Sequence, residues 1–211
     1  MKKIFTILVL VASLNVIAQK QIFESPKLAE KIAEQKTVAI IPFEVTINYK
    51  KQPKNFSAEA NKEQERKMSE SIQSSMYTFL LRKRDKYSVA FQDVDKTNIL
   101  LKRAGLLDKL DETTKDELAA VLGVDAVVGG NYEIEQTKSE AGAIATAVLF
   151  GGFGGKTGTG SLTLTINDGK DGELLWRFFK TLDDSIATST DDVVERMMRK
   201  VSRNFPYDKE K

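Results

Sequence analysis

The side chains available for chemistry in this chain are carboxylates, lysines, serines and tyrosines, because it contains no histidine and no cysteine. Those two absences remove the commonest general base, the usual nucleophile–base pairings and nearly all zinc sites. Neither a G-x-S-x-G elbow nor an S-x-x-K set with its companion motifs occurs. Two acidic pairs, Asp183-Asp184 and Asp191-Asp192, invite a general acid–base reading. The first falls at a strand exit and the second in the first turn of the last expected helix, where negative charge offsets the helix dipole. Paired catalytic acids also need a cleft that shifts their pKa values. No catalytic residue is assigned, and an enzyme is not expected.

Two further motifs point to ligands. Phe150 to Thr157 reads FGGFGGKT, close to the G-x-x-x-x-G-K-[ST] loop whose backbone amides cradle phosphates. Gly155, Lys156 and Thr157 match, but Phe150 stands at the first glycine position. Such a loop must also open a helix that holds the phosphate at its N-terminus, whereas Gly158-Thr159-Gly160 and an alternating strand follow here. Nucleotide binding is therefore not expected. Asn167 to Gly172 (NDGKDG) partly matches a calcium loop, but the third and twelfth positions are Gly169 and Phe178, which leaves two oxygen ligands missing. A hairpin turn explains it, and neither metal nor cofactor is expected.

The elements around these motifs follow from periodicity. Ser25 to Gln35 carries Leu28, Ala29, Ile32 and Ala33 at helical spacing, as a short lead-in after Pro26. Thr37 to Ile47 reads as a strand with Ala39, Ile41, Phe43, Val45 and Ile47 on one face, and Pro42 requires an edge, a bulge or an exit there. A long helix is expected from about Ala58 to Arg82, with Met68, Ile72, Met76, Phe79 and Leu80 as its apolar stripe. Tyr87 to Gln92 is a short strand. Two helices follow, Asp93 to Ala104 and Thr113 to Leu122, the second capped by Thr113 or Thr114 and closed by Gly123. Val124 to Glu135 is a strand burying Val124, Ala126, Val128, Tyr132 and Ile134. Ser161 to Ile166 alternates cleanly, the 167–172 turn reverses it, and Glu173 to Leu182 returns with Leu174, Trp176 and Phe178 on one side. The last helix, Thr190 to Phe205, buries Val194, Met197, Met198 and Val201. This order, with helices clustered and the late strands running as a hairpin, predicts an α+β domain: a mixed sheet with helices packed on it.

Lys2 and Lys3, the apolar run Ile4 to Val11 broken only by Thr6, and Val16-Ile17-Ala18 before Gln19 read as a secretion signal cleaved after Ala18. The apolar run is too short for a stable spanning anchor. Without a cysteine at the cleavage site, a lipoprotein is not expected. The expected organisation is a signal over 1–18, a helical lead-in over 19–36, one domain over 37–207 and a disordered tail over 208–211. Removal of Lys2 and Lys3 from the 32 basic residues leaves them equal to the 30 acidic ones. That balance argues against a nucleic-acid partner, whose affinity needs clustered positive charge. Lys50, Lys51 and Lys54, and Arg82 to Arg84, read as solvated surface.

The stretch Ala141 to Gly155 (AGAIATAVLFGGFGG) carries no charge and lies between two strands. Its glycines fit a crossover packed into the core. Its length also fits a membrane-facing or self-associating hairpin, because a membrane β-strand needs only about 9–11 residues and exposed apolar tracts mark interaction sites. Ala143, Ile144, Val148, Leu149, Phe150, Gly151, Gly152 and Phe153 are the candidate interaction residues.

Three segments in order, Thr37 to Glu44 (TVAIIPFE), Leu122 to Ile134 (LGVDAVVGGNYEI) and Leu162 to Trp176 (LTLTINDGKDGELLW), resemble the superfamily of CsgG-like periplasmic proteins and the amino-terminal domain of TolB. They match its "VAVLPF" strand, its "LGADYVVxGxI" segment, and its strand, "D-x-x-TG" turn and returning strand ending "LW". The resemblance covers roughly residues 37 to 182. It implies a periplasmic or otherwise extracytoplasmic domain that acts as a scaffold, assembly factor or secretion component without enzymatic activity. Its partner would be another envelope protein or a second copy. Curli-secretion relatives insert hairpins into the outer membrane, one near the position of Ala141 to Gly155, so the alternative is a membrane-inserting oligomer using 141–160. This chain lacks their lipid-bearing cysteine and has one candidate membrane segment, so their pore is not carried over. No β-propeller follows, which excludes a full TolB.

Overall fold

The computed structural model describes residues 21–50, 52, 54, 56–136, 158–183 and 190–210. Among the described residues, twelve helices and strands follow in chain order: β1 (Gln21–Glu24), α1 (Leu28–Glu34), β2 (Thr37–Ile40), β3 (Glu44–Tyr49), α2 (Ala58–Leu81), β4 (Ala90–Phe91), α3 (Val94–Arg103), α4 (Lys115–Leu122), β5 (Ala126–Gln136), β6 (Gly158–Asp168), β7 (Leu174–Asp183) and α5 (Thr190–Val201). The strands form one mixed sheet in the order β1-β7-β6-β5-β2-β4, with β3 also on β5. β2, β3 and β4 pair in parallel, whereas β1, β6 and β7 pair antiparallel. This is the α+β arrangement expected from the sequence.

The expected strand from Thr37 to Ile47 is two strands, because Ile41, Pro42 and Phe43 oppose only Gly129 and Gly130 between the pairs Ile40↔Val128 and Glu44↔Asn131. The extra residue reverses the parity of the faces. Val38 and Ile40 share one core with Phe43, Val45 and Ile47, while Ala39 and Ile41 pack into a second core on the opposite face. The single expected face of Ala39, Ile41, Phe43, Val45 and Ile47 is therefore corrected: the bulge at Pro42 splits it. Gly129 and Gly130 make the bulge sterically possible. A Cβ at Gly130 would stand 2.0 Å from the Thr163 carbonyl oxygen, and one at Gly129 would stand 3.0 Å from the Ile41 side chain.

The larger core lies under α2 and α5. Met68, Ile72, Met76, Phe79 and Leu80 bury the expected stripe of α2, and Val194, Met197, Met198 and Val201 that of α5. Trp176 and Phe178 of β7 stack beneath them with ring centroids 6.0 Å apart, and Phe205 meets Trp176 edge-on. β7 also departs from the expected alternation. A register shift at Ile166/Asn167 leaves Leu175 unpaired, and Leu175, not Leu174, is fully buried. The second core is smaller, made by Leu101 of α3 and Leu118, Ala119 and Leu122 of α4 over Ala39, Ile41 and Val127. α4 has the capping box of Thr114 and Glu117 and ends on left-handed Gly123 (φ 65°).

Other boundaries move. β1 is an unexpected edge strand. β4 shrinks to Ala90–Phe91, and Tyr87 instead bridges Asp208. The tail expected to be disordered from Asp208 is held at its start, since the Lys209 amide donates to the Lys86 carbonyl at 2.9 Å. Burial pushes the Tyr87 hydroxyl up to about 12. Lys31 of α1 reaches Asp168 at 2.8 Å and Asp171 at 3.0 Å. Gln35 donates to Asp168 and accepts from the buried Tyr207 hydroxyl. The lead-in, the β6–β7 turn and the C-terminal segment are thus one hydrogen-bonded unit.

α2 also closes an open edge. Beyond β4 the outer side of the β2–β3 edge has no strand beside it among the described residues, and one polar row of α2 at i, i+4, i+8 meets it. Glu65 accepts from the Ile47 amide (2.9 Å), Ser69 Oγ donates to the Phe43 carbonyl, and Gln73 Nε2 donates to the Ile40 carbonyl (2.7 Å). Gln73 is fully buried, and a second pair of bonds to Asn98 fixes its amide.

Two stability outcomes follow. Trp176→Ala costs about 3–5 kcal/mol in urea unfolding; a loss near zero would place Trp176 on a binding face instead. Gln73→Met keeps the volume but strands the Ile40 carbonyl, and costs about 1–3 kcal/mol. Unchanged stability would show that the edge needs no cap.

Candidate functional site

The strands carry connections away from the two ends of the sheet, and the ends differ. β3 and β5 finish together at Tyr49↔Gln136, β6 begins opposite at Gly158, and β7 finishes at Asp183 against Thr159. The chain between β3 and α2, the residues 137–157 and the residues 184–189 therefore all depart from one end of the sheet. β1 starts opposite Phe179, so the chain before Gln21 departs toward that end too. β5 and β6 pair without a break over eleven residue pairs, a register that a two-residue turn can close. The chain instead uses the 21 residues 137–157. Because these strands are adjacent and antiparallel, their connection joins neighbouring strand ends, which differs from the expected crossover. Ala143, Ile144, Val148, Leu149, Phe150, Gly151, Gly152 and Phe153 lie in it, outside the described residues.

The motifs considered for ligands resolve through their neighbours. Residues Gly158 to Asp168, immediately after Thr157, form β6, so no helix follows the glycine run to present amides to a phosphate. In the 167–172 turn, the cation that meets Asp168 and Asp171 is the Lys31 ammonium, and Gly172 takes up a left-handed conformation (φ 71°). Hydrogen bonds from the Glu173 amide and Lys31 hold the Asp171 carboxyl below the usual carboxylate range. No group of three or more metal-ligating side chains occurs among the described residues. Asp183 ends β7, and Asp191 and Asp192 lie in the first turn of α5.

A cleft of about 400 Å³ opens where the bulge meets α2 and the segment between α3 and α4. Ile41, Pro42, Phe43, Val45, Leu107 and Leu110 give it apolar walls, and Gly130 and Thr165 line it as well. The polar lining is dominated by acid: Glu44, Glu65, Glu70, Asp108 and Asp111 against Arg66 and Lys115. Arg66 is already engaged by Glu63 at 2.9 Å and Glu70 at 2.6 Å. Glu44 accepts from Asn131 at 2.8 Å. Lys115, at the start of α4, is half-buried, and that burial lowers its pKa against the opposing pull of Glu44 and Asp111. Sequence reasoning missed this cleft. Its lining is gathered from six separate stretches of chain, and the only local signal was Pro42 within a strand.

No helix among the described residues is long and apolar enough to cross a membrane. Comparison with known proteins adds resemblances of chain course. No family model matches the sequence, and no curated protein matches it. Among solved structures, the lipoprotein GNA1162 from Neisseria meningitidis is 12% identical, with a TM-score of 0.43 over 80% of this chain and 98% of that one. A PelC dodecamer from Paraburkholderia phytofirmans is 14% identical, with a TM-score of 0.39 over 90% of this chain and 96% of that one. The LpoB C-terminal domain from Escherichia coli is 10% identical, with a TM-score of 0.34 over 74% of this chain and 93% of that one.

Proposed function

We propose that this is an exported, non-enzymatic protein of the cell envelope. Its α+β domain serves as a scaffold, assembly or secretion-associated binding module for another envelope protein or for a second copy. The carrying observation is the connection between β5 and β6. An uninterrupted antiparallel register that needs two residues to close is joined by 21, and 15 of those, Ala141 to Gly155, carry no charge. A long connection on a built scaffold is where binding function concentrates. The secretion signal read over residues 1–18 supports the extracytoplasmic location, as does the resemblance to CsgG-like and TolB amino-terminal domains.

The second reading is a membrane-inserting oligomer that uses 141–160. What favours it is the geometry of the flanks: β5 and β6 leave the sheet side by side and antiparallel, as two strands of a membrane hairpin must. The domain would then stand beside the outer membrane with the hairpin in it.

One pair of measurements separates these readings. Replacing residues 137–157 by Asn-Gly should leave a folded domain, with a melting temperature within a few degrees of the parent, because Asn-Gly then closes the Gln136↔Gly158 pair as a two-residue turn. The replacement should abolish co-purification of the native envelope partner or self-association. An unfolded replacement, or one that keeps all its partners, contradicts the proposal. In carbonate extraction of the envelope fraction, release of the parent protein selects the binding module, and retention that disappears on replacement selects the membrane hairpin.

A further inference from the structure

The cleft at the bulge lies beside the β2–β3 edge, and it has its own recognition chemistry. Three features define that chemistry. The walls from Ile41, Pro42, Phe43, Leu107 and Leu110 are apolar. The rim holds five carboxylates against two cations, and one of those cations, Arg66, is held by its own helix through Glu63 and Glu70. The lining therefore carries an excess of negative charge, which Lys115 offsets in part beside Glu44 and Asp111.

The third feature is backbone. N–H and C=O of one strand residue point to the same side, and Ile47 and Phe43 point theirs away from β5, toward the caps Glu65 and Ser69. Val45 lies midway between them with the same direction and lines the cleft. No side chain among the described residues caps it. A donor and an acceptor one residue wide, between apolar walls and an acidic rim, match one residue of an extended peptide.

We propose that this cleft binds an extended peptide segment of a partner protein in which a basic residue stands beside an apolar one. The apolar side chain packs on Pro42, Phe43 and Leu110, the peptide backbone meets Val45, and the lysine or arginine lies against Glu44 and Asp111. Lys115 tempers the attraction, and the carboxylates select against acidic segments, since an acidic side chain would face Glu44, Asp108 and Asp111 together. The site is independent of the function proposed for the sheet end, and a chain with 137–157 replaced by Asn-Gly must bind the peptide as the parent does.

The test uses acetyl-Leu-Arg-Leu-amide and acetyl-Leu-Glu-Leu-amide, titrated into the ¹⁵N-labelled chain lacking residues 1–18, at low and high salt. The arginine peptide should shift the amides of Val45, Gly130, Asn131, Leu110 and Lys115, and the glutamate peptide should not. Glu44→Gln combined with Asp111→Asn, both on exposed side chains, should weaken binding about tenfold, as loss of charge complementarity does. High salt should weaken it in the same direction. Lys115→Met should bind the arginine peptide at least as tightly as the parent. A preference for the glutamate peptide overturns the proposal, as does loss of binding in Lys115→Met. Binding unchanged in the double variant, or an absence of shifts at the cleft with either peptide, overturns it too.

Discussion

An edge strand presents a row of backbone donors and acceptors that must be covered or left to pair with another chain. Here that row belongs to β2 and β3, and it is covered by Glu65, Ser69 and Gln73, one polar line along α2. The arrangement fixes much else. It holds α2 along the edge of the sheet with Met68, Ile72 and Met76 turned into the larger core. It also tolerates the bulge at Pro42, because the carbonyls displaced from the ladder find donors on the helix. The cleft follows from the same geometry, since its lining includes the bulge, Glu65, Ser69 and the uncapped residue between them.

The bulge itself depends on two glycines. With any side chain at Gly130, β6 could not approach through Thr163, and β5 would lose its antiparallel partner at mid-strand. The motif GG in VVGGNY is thus a packing requirement of a sheet in which β5 is paired in parallel on one side and antiparallel on the other. At the β6–β7 turn, Lys31, Asp168, Gln35 and Tyr207 link distant parts of the chain in the same economical manner. Breaking either buried bond of Gln35, to Asp168 or to Tyr207, would leave a polar group without a partner away from water.

Much of the fold was legible in the sequence wherever a single period ran unbroken. The α2 stripe, the α5 stripe, the capping box of α4 and the alternation of β6 all carry their own local signal. The errors sit where one residue breaks the period. Pro42 was recognised as a discontinuity, but the parity change it causes depends on what Gly129 and Gly130 do across the ladder. Leu175 exchanged places with Leu174 for the same reason. β1 was missed because four residues that pair only on one side bury too little to show a pattern. The cleft was invisible, since Glu44, Lys115 and Asn131 are brought together by topology alone. The uncharged connection between β5 and β6 could be read from composition, and the structure adds where it leaves the sheet.

Residue-resolved amide hydrogen exchange on the native protein tests the edge closure most directly. If α2 caps the edge, the outward-facing Ile47 amide exchanges as slowly as the ladder amide of its neighbour Thr46, while the uncapped Val45 amide exchanges orders of magnitude faster. Rapid exchange at both Ile47 and Val45 would mean an open edge, with α2 held in place by its apolar stripe alone. That result would contradict the account of both the fold and the cleft.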